Sequence, residues 1–389
     1  MNNLFKLIGI LFFGLFTSSL MGQEIDLRIK LGENELPAQL FLSSTKEASI
    51  GILQITMPIQ LNVSMKERYS HNDSTVYHCS SPVLEIVIAG SPEDSISGQM
   101  SLNNGATFSF SGRYKKIIDK KVFSDMLSKR KTVIEMKEYG VAFPSVHPEL
   151  DLIVFSAYQY DFTKHQLFFG HYDGKKCGPS KPLPFSIRYS DRSPKFDLQG
   201  DRLYFASKRP ISENDSTDDY NLWYVELNNS RDPSSWSEPK LVEKINSEAD
   251  DYQPCVANSG IYFASNREGG FGGPDIYFAK GKGGTFETSV NLGPKVNTEH
   301  DEMSVYVNST EELMIIGGSN SKLQNKGNDD LFLYKKNDGK WQFEHTLSTE
   351  INTLTNDYGA EISSDGKWLF ITSDIVPPAK IYRYRWKSK

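Results

Sequence analysis

The stretches Leu203-Tyr204-Phe205-Ala206-Ser207 and Ile261-Tyr262-Phe263-Ala264-Ser265 decide how this chain is read, because their apolar, aromatic, apolar, small text recurs. Looser copies stand at Leu152-Ile153-Val154-Phe155-Ser156, Leu313-Met314-Ile315-Ile316-Gly317 and Leu369-Phe370-Ile371-Thr372-Ser373, with starting positions 51, 58, 52 and 56 residues apart. Self-similarity at a spacing of roughly 50 residues is the signature of a repeat architecture, in which each copy is one supersecondary unit.

Working outward from each copy, a short strand is predicted near Pro144, Pro194, Pro254, Ser304 and Ala360. Turn residues that tolerate positive φ, such as Asn258-Ser259-Gly260 and Ser364-Asp365-Gly366, join it to the apolar strand. A third strand follows at Leu167-Phe168-Phe169, Leu222-Trp223-Tyr224, Ile276-Tyr277-Phe278, Leu331-Phe332-Leu333 and Ile381-Tyr382-Arg383. A fourth follows Trp236, Phe286 and Trp341 in the middle copies. A four-stranded meander has two faces to cover and cannot bury both alone, so the copies must stack; radial stacking also protects the strand edges. The fold class is therefore all-β, with a five-bladed β-propeller over 141–389. Six blades would require the segment before Lys115 to supply another. The last copy stops after its third strand, and Thr132-Val133-Ile134-Glu135-Met136 can supply the fourth and close the ring.

Three junctions carry a more specific text: Ile245-Asn246-Ser247 leading to Asp250-Asp251, Val296-Asn297-Thr298 leading to Asp301-Glu302, and Ile351-Asn352-Thr353 leading to Asn356-Asp357. With Ser265-Asn266-Arg267, the run Gly269 to Tyr277 and Asn291-Leu292-Gly293-Pro294, this text resembles the TolB-like propeller repeats of Gram-negative, Bacteroidetes-type cell envelopes. The resemblance covers about Val141 to Arg385 and departs at Gly317-Gly318-Ser319, where the Ser-Asn-Arg text is missing. It implies a non-catalytic scaffold in the periplasm or at the outer membrane that binds an envelope protein or cell-wall component.

Ahead of the propeller, residues 1–22 read as a secretory leader, with Lys6, an apolar run from Leu7 to Phe16 and then small residues. That run is too short to span a bilayer, so no integral span is expected once the leader is removed. Residues 23–114 read as a β-rich module, from alternating segments such as Leu53-Gln54-Ile55-Thr56-Met57 and Leu84-Glu85-Ile86-Val87-Ile88. Its stretch Ser95 to Phe108 is similar to the accessory β-domain that precedes some secreted bacterial serine hydrolases. Residues 115–140 read as a linker, with helical spacing of apolar residues over Lys115–Lys131, and the ring-closing strand.

The formal net charge of −6, without a dense basic run in the propeller, disfavours nucleic acid as a partner. Three cysteines, Cys79, Cys177 and Cys255, are too dispersed for a metal motif. No nucleophile elbow, zinc helix or phosphate loop occurs, and neither cofactor nor metal is expected. His147, His165 and His171 lack metal-ligand spacing. The acids Asp191, Asp251, Asp301 and Asp357 precede the first strand of four copies, where a carboxylate can accept backbone N–H bonds. Because strands alternate in direction, the junction loops and the loops after each apolar strand share one end of the ring. That end gathers Arg209, Asp251, Asn266, Arg267 and Asp301, which form the candidate partner-binding surface. The alternative is a propeller lyase or glycosidase-like enzyme acting on polysaccharide; it would need several acids or histidines converging on the channel. A sugar-binding module is a third possibility.

Overall fold

The structure is a computed structural model. It describes the backbone of residues 21–31, 34–44, 49–55, 59–71, 74–80, 84–90, 95–102 and 107–118. It describes backbone and side chains of residues 129–136, 139–158, 164–228, 232, 235–319, 329–353, 355–374 and 379–387. The chain divides into two units, Met1–Ser128 and Lys129–Lys389. The leader read over 1–22 lies almost wholly outside the described residues.

The first unit is a closed antiparallel barrel of β1 (Met21–Leu31), β2 (Asn34–Ser44), β3 (Ser49–Ile55), β4 (Ile59–His71), β5 (Ser74–Ser80), β6 (Leu84–Gly90), β7 (Ser95–Leu102) and β8 (Thr107–Ile118). Each strand pairs with the next, and β8 returns to β1. Closure leaves no free sheet edge. Lys115 to Ile118, expected to open a linker helix, continue β8, and 119–128 lie outside the described residues.

The second unit begins with β9 (Lys131–Ile134) and forms a five-bladed propeller. Blade 1 is β10 (Gly140–Val146), β11 (Leu152–Tyr158), β12 (His165–His171) and β13 (Lys181–Pro182). Blade 2 is β14 (Asp191–Phe196), β15 (Arg202–Ser207), β16 (Asn221–Glu226) and β17 (Lys240–Leu241). Blade 3 is β18 (Asp251–Val256), β19 (Gly260–Ser265) and β20 (Asp275–Lys282), whose outer edge is shared by β21 (Thr285–Phe286) and β22 (Val290–Asn291). Blade 4 is β23 (Asp301–Val307), β24 (Leu313–Ser319), β25 (Asp330–Asn337) and β26 (Lys340–Thr346). Blade 5 is β27 (Asp357–Ile362), β28 (Trp368–Ser373) and β29 (Lys380–Arg385), completed by β9 from the start of the unit.

The repeated apolar strands are second in each blade and are buried on both faces; Phe155, Phe205, Phe263 and Phe370 have no solvent exposure. Leu152, Val154 and Leu167 of blade 1 pack against Phe196, Leu203 and Phe205 of blade 2, while Val133 and Ile134 of β9 join Phe155 and Phe370. Each such side chain contributes about 1.5–3 kcal/mol by leaving water, and only stacked blades can bury both faces.

The junction text has a mechanical explanation. Asn246, Asn297 and Asn352 each accept the N–H, and donate to the C=O, of the first apolar residue of a third strand: Leu222, Ile276 and Leu331. A side-chain amide thus replaces a fourth-strand peptide where β-pairing has ended. The following Ser247, Thr298 or Thr353 gives both its N–H and its hydroxyl to a carboxylate four residues on, in Asp251, Glu302 and Asp357.

The first strands line the channel, and every one is bulged: the register shifts between Ala142 and Ser145, Arg192 and Lys195, Tyr252 and Cys255, Glu302 and Ser304, and Tyr358 and Glu361. Phe143, Ser193, Gln253 and Gly359 take positive φ there (54°, 58°, 54° and 63°). A hydroxyl of the preceding blade accepts three of these amides: Thr372 from Phe143, Ser156 from Ser193 and Ser304 from Gly359. Bulges re-aim side chains; here they turn Ser145, Lys195, Cys255 and Glu361, each two residues beyond a positive-φ residue, into equivalent positions around the channel. Lys195 of blade 2 reaches Glu361 of blade 5 across it, with Nζ 5.0 Å from the ring centre of Tyr306. Such a pair offsets two desolvation costs more than it adds stability. Replacing both partners together, as K195M/E361L, is expected to leave unfolding free energy within about 1 kcal/mol or to raise it, as urea denaturation would show.

Candidate functional site

Three of the five residues expected to form a contact surface are occupied inside the blades. The Arg209 guanidinium is 2.9 Å from the Asp191 carboxylate, bonds Ser207 Oγ and the Phe185 carbonyl, and stacks over Phe205 and Trp223. Arg267 repeats this with Asp251 at 2.5 Å, Ser265 Oγ and the Ile245 carbonyl, over Phe263 and Tyr277. Asp191 and Asp251 are wholly buried, and burial raises both carboxyls despite the guanidinium beside each. Asn266 is exposed and Asp301 half-buried, so these two reach the surface.

Blade 5 rebuilds the same constellation with a guanidinium from the opposite end of the unit. Arg130, next to β9, lies 3.6 Å from Asp357, donates to Ser373 Oγ and the Ile351 carbonyl, and stacks over Tyr382 and Tyr384. Ring closure is therefore ionic as well as β-paired.

Blade 4 breaks the pattern. Its carboxylate bonded to the junction threonine is Glu302, so Asp301, expected to be the equivalent of Asp251, stands one residue earlier and is released from that duty. No arginine accompanies Glu302; Gly317 and Gly318 occupy the strand end, and a Cβ on Gly318 would come within 1.9 Å of the Asp301 carbonyl oxygen. Burial pushes Glu302 up to about 7, with the like charges of Asp275 and Asp301 adding to the rise. Relative to an ordinary glutamate near 4.3 in the unfolded chain, the folded state then binds an extra proton between those values. The resulting stability is full below about pH 4 and lost as pH rises through about 7. Wild type is expected to lose roughly 1–3 kcal/mol relative to E302Q over that window, in paired denaturation curves.

Asp301, released at blade 4, acts with Asp330, Asp357 and Asp374 on the carboxyl of Asp329. Asp329, just ahead of β25, accepts the Asp357 N–H through its carbonyl at 2.8 Å and so bridges blades 4 and 5. Burial pushes its carboxyl up to about 7, reinforced by Asp374, Asp301, Asp330 and Asp357. Asp374 is held by the N–H and side-chain amide of Asn356 at 2.9 and 2.8 Å. Tyrosines fill the rim between the blades. Tyr252 lies in the fields of Arg192, Asp250, Asp301 and Asp329, and the Tyr158 and Tyr358 hydroxyls are 3.4 Å apart. His165, whose ring centre is 5.2 Å from that of Tyr158, is drawn down to about 3 by burial and by Arg192 and Lys208, so it is neutral.

The other two histidines are elsewhere. His147 Nδ1 accepts the Glu149 and Leu150 amides at the far end of blade 1, and His171 Nδ1 lies 3.1 Å from the Asp151 carbonyl oxygen. Among the described residues, no three His, Cys, Asp or Glu side chains are grouped to hold a metal ion. The glycine run packs against blade 4: a Cβ on Gly272 or Gly273 would meet the His300 carbonyl or the Asp301 carboxylate at 2.2 and 2.1 Å. Sequence reading passed over Asp329. The available signal was the doubled Asp329-Asp330 in the one copy whose apolar strand ends on glycine, at Gly317, where the other four have serine.

No protein-family profile matches the chain, and no curated protein sequence matches it. Among solved structures it is similar to the α-L-arabinofuranosidase of Podospora anserina, at 11% identity and a TM-score of 0.46, covering 67% of this chain and 97% of that one. It is also similar to a thermostable family-43 glycoside hydrolase, at 10% identity and a TM-score of 0.48, over 67% and 93%. A third is the oligogalacturonate lyase of Vibrio parahaemolyticus, at 11% identity and a TM-score of 0.37, over 94% and 99%. These likenesses concern the propeller architecture alone. The expectation of a non-catalytic protein is corrected against these findings, since the solved propellers it is similar to are glycoside hydrolases and a lyase.

Proposed function

We propose that the propeller is a glycosidic-bond-cleaving enzyme whose acid–base chemistry is centred on Asp329 at the channel mouth. What supports this reading is the place of Asp329 at the seam of blades 4 and 5, where its carbonyl accepts the Asp357 N–H and where burial and the charges of Asp374, Asp301, Asp330 and Asp357 push its carboxyl up to about 7. Two carboxyl groups in contrasting environments are what glycoside hydrolysis requires: one gives a proton to the leaving oxygen, the other guides water to the sugar carbon. In this assignment Asp329 is the donor and Asp301, free of the structural bonds that occupy Asp251, is its partner.

The leader and the TolB-like repeat text support action outside the cytoplasm, in the periplasm or at the outer membrane, on cell-wall or other envelope polysaccharide. Assaying release of reducing ends from a panel of such polysaccharides tests the reading. Activity on at least one, falling as pH rises through about 7 when Asp329 loses its proton, is the expected result. A panel without turnover at any pH from 4 to 9 would defeat it.

A further inference from the structure

Arg192 lies on the first strand of blade 2 at the register position that Tyr252 and Tyr358 occupy in blades 3 and 5. Its guanidinium carbon is 4.2 Å from the ring centre of Tyr220 and 4.3 Å from that of Tyr252, so two aromatic faces hold it in one orientation. Among the described residues it forms no ion pair, and its buried Nε has no acceptor. The missing ion pair, and not the orphaned Nε that Arg130 shares, sets it apart from Arg130, Arg209 and Arg267, each bound to a blade carboxylate. The neutral His165 beside it also has an unpartnered buried Nδ1. Blades 1 and 2 thus bring a cation without an ion pair and a neutral imidazole to the rim, whereas Asp301, Asp329 and Asp374 come from blades 4 and 5.

A half-buried guanidinium held between two rings, with an unpartnered buried Nε and no carboxylate beside it, is a group that a ligand carboxylate can complete. Its planar fork matches a carboxylate bidentately, and pre-orientation by the two tyrosines reduces the ordering cost of that contact. We infer that Arg192 is the carboxylate-recognition residue of the mouth, and that the saccharide taken there is acidic, carrying a uronate carboxylate beside the bond presented to Asp329. This rests on the catalytic reading for the role of Asp329, whereas the carboxylate subsite rests on Arg192 itself.

The test is calorimetric binding to the full chain carrying D329N, in which turnover is expected to be at least about a hundredfold slower. The probes are short oligomers of galacturonate, glucuronate and mannuronate, and the same oligomers with their carboxylates reduced to alcohols. At least one acidic oligomer should bind about ten- to a hundredfold more tightly than its reduced form, and R192M should erase that difference while R192K retains part of it. Near-ultraviolet circular dichroism confirms that R192M is folded. Equal affinity for acidic and reduced forms, a preference that survives R192M, or binding of no acidic oligomer would each overturn the inference. Failure of the parent reading looks different: acidic oligomers bind through Arg192, yet wild-type protein cleaves no polysaccharide.

Discussion

R130M is expected to lower the unfolding free energy by about 3–5 kcal/mol, the cost of leaving a buried carboxylate without its cation. Asp357 is wholly buried, and its bonds to Thr353 remain in the variant, so the charge cannot escape to water. Burial already pushes this carboxyl up to about 7 with Arg130 opposing the rise, and the variant must either protonate it or unfold. The damage falls where the ring closes, because the Arg130 guanidinium, beside the β9–β29 pairing, ties the segment carrying β9 to blade 5 at Ser373 and Ile351. A drop in melting temperature of roughly 10 °C corresponds to the lower part of that range for a unit of this size. R130M/D357L, which removes both charges, should recover most of the loss. A double variant as unstable as R130M would mean that shape, and not charge, is what Arg130 contributes.

D329N is expected to lower the turnover rate by about 10²–10⁴-fold, the range general acid catalysis supplies, with the fold retained and, as for E302Q, greater stability than wild type once pH rises through about 7. Asparagine keeps the shape and cannot transfer a proton. The carbonyl of residue 329 remains bonded to the Asp357 N–H, so the scaffold has no reason to shift. The same substitution at Asp251 would act oppositely, destabilising blade 3 through the orphaned Arg267 while leaving the chemistry at the mouth untouched. A D329N protein that retains more than about a tenth of wild-type turnover would remove Asp329 from the proposed role.

How much of this was legible beforehand follows from the range of the interactions. The five blades could be read because strand alternation, turn residues and the apolar strands are local and repeat. The closing segment could be read because the last copy lacked an outer strand. The junction asparagines were visible as text, but their work was not, since their partners lie 21 or 24 residues away in another strand. Arg209 and Arg267 were mistaken for surface groups for the same reason: their carboxylates lie 18 and 16 residues upstream, and only the folded blade turns each guanidinium inward. Blade 4 misled by a single residue. Aligning Asp301 with Asp251 is natural by residue type, whereas the bonds from Thr298 show that Glu302 holds that place. Asp329 could not be ranked from sequence because what distinguishes it is the convergence of acids from separate blades.

What distinguishes Asp329 from an ordinary aspartate is a carboxyl that still titrates near 7 in the absence of any substrate. Carbon-13 NMR titration of aspartate side-chain carboxyls, in wild type and D329N, measures this. The expected result is a resonance titrating near 7 that disappears in D329N. If the resonance lost in D329N instead titrates near 4 with ordinary aspartates, the mouth holds no poised acid and the catalytic assignment is wrong.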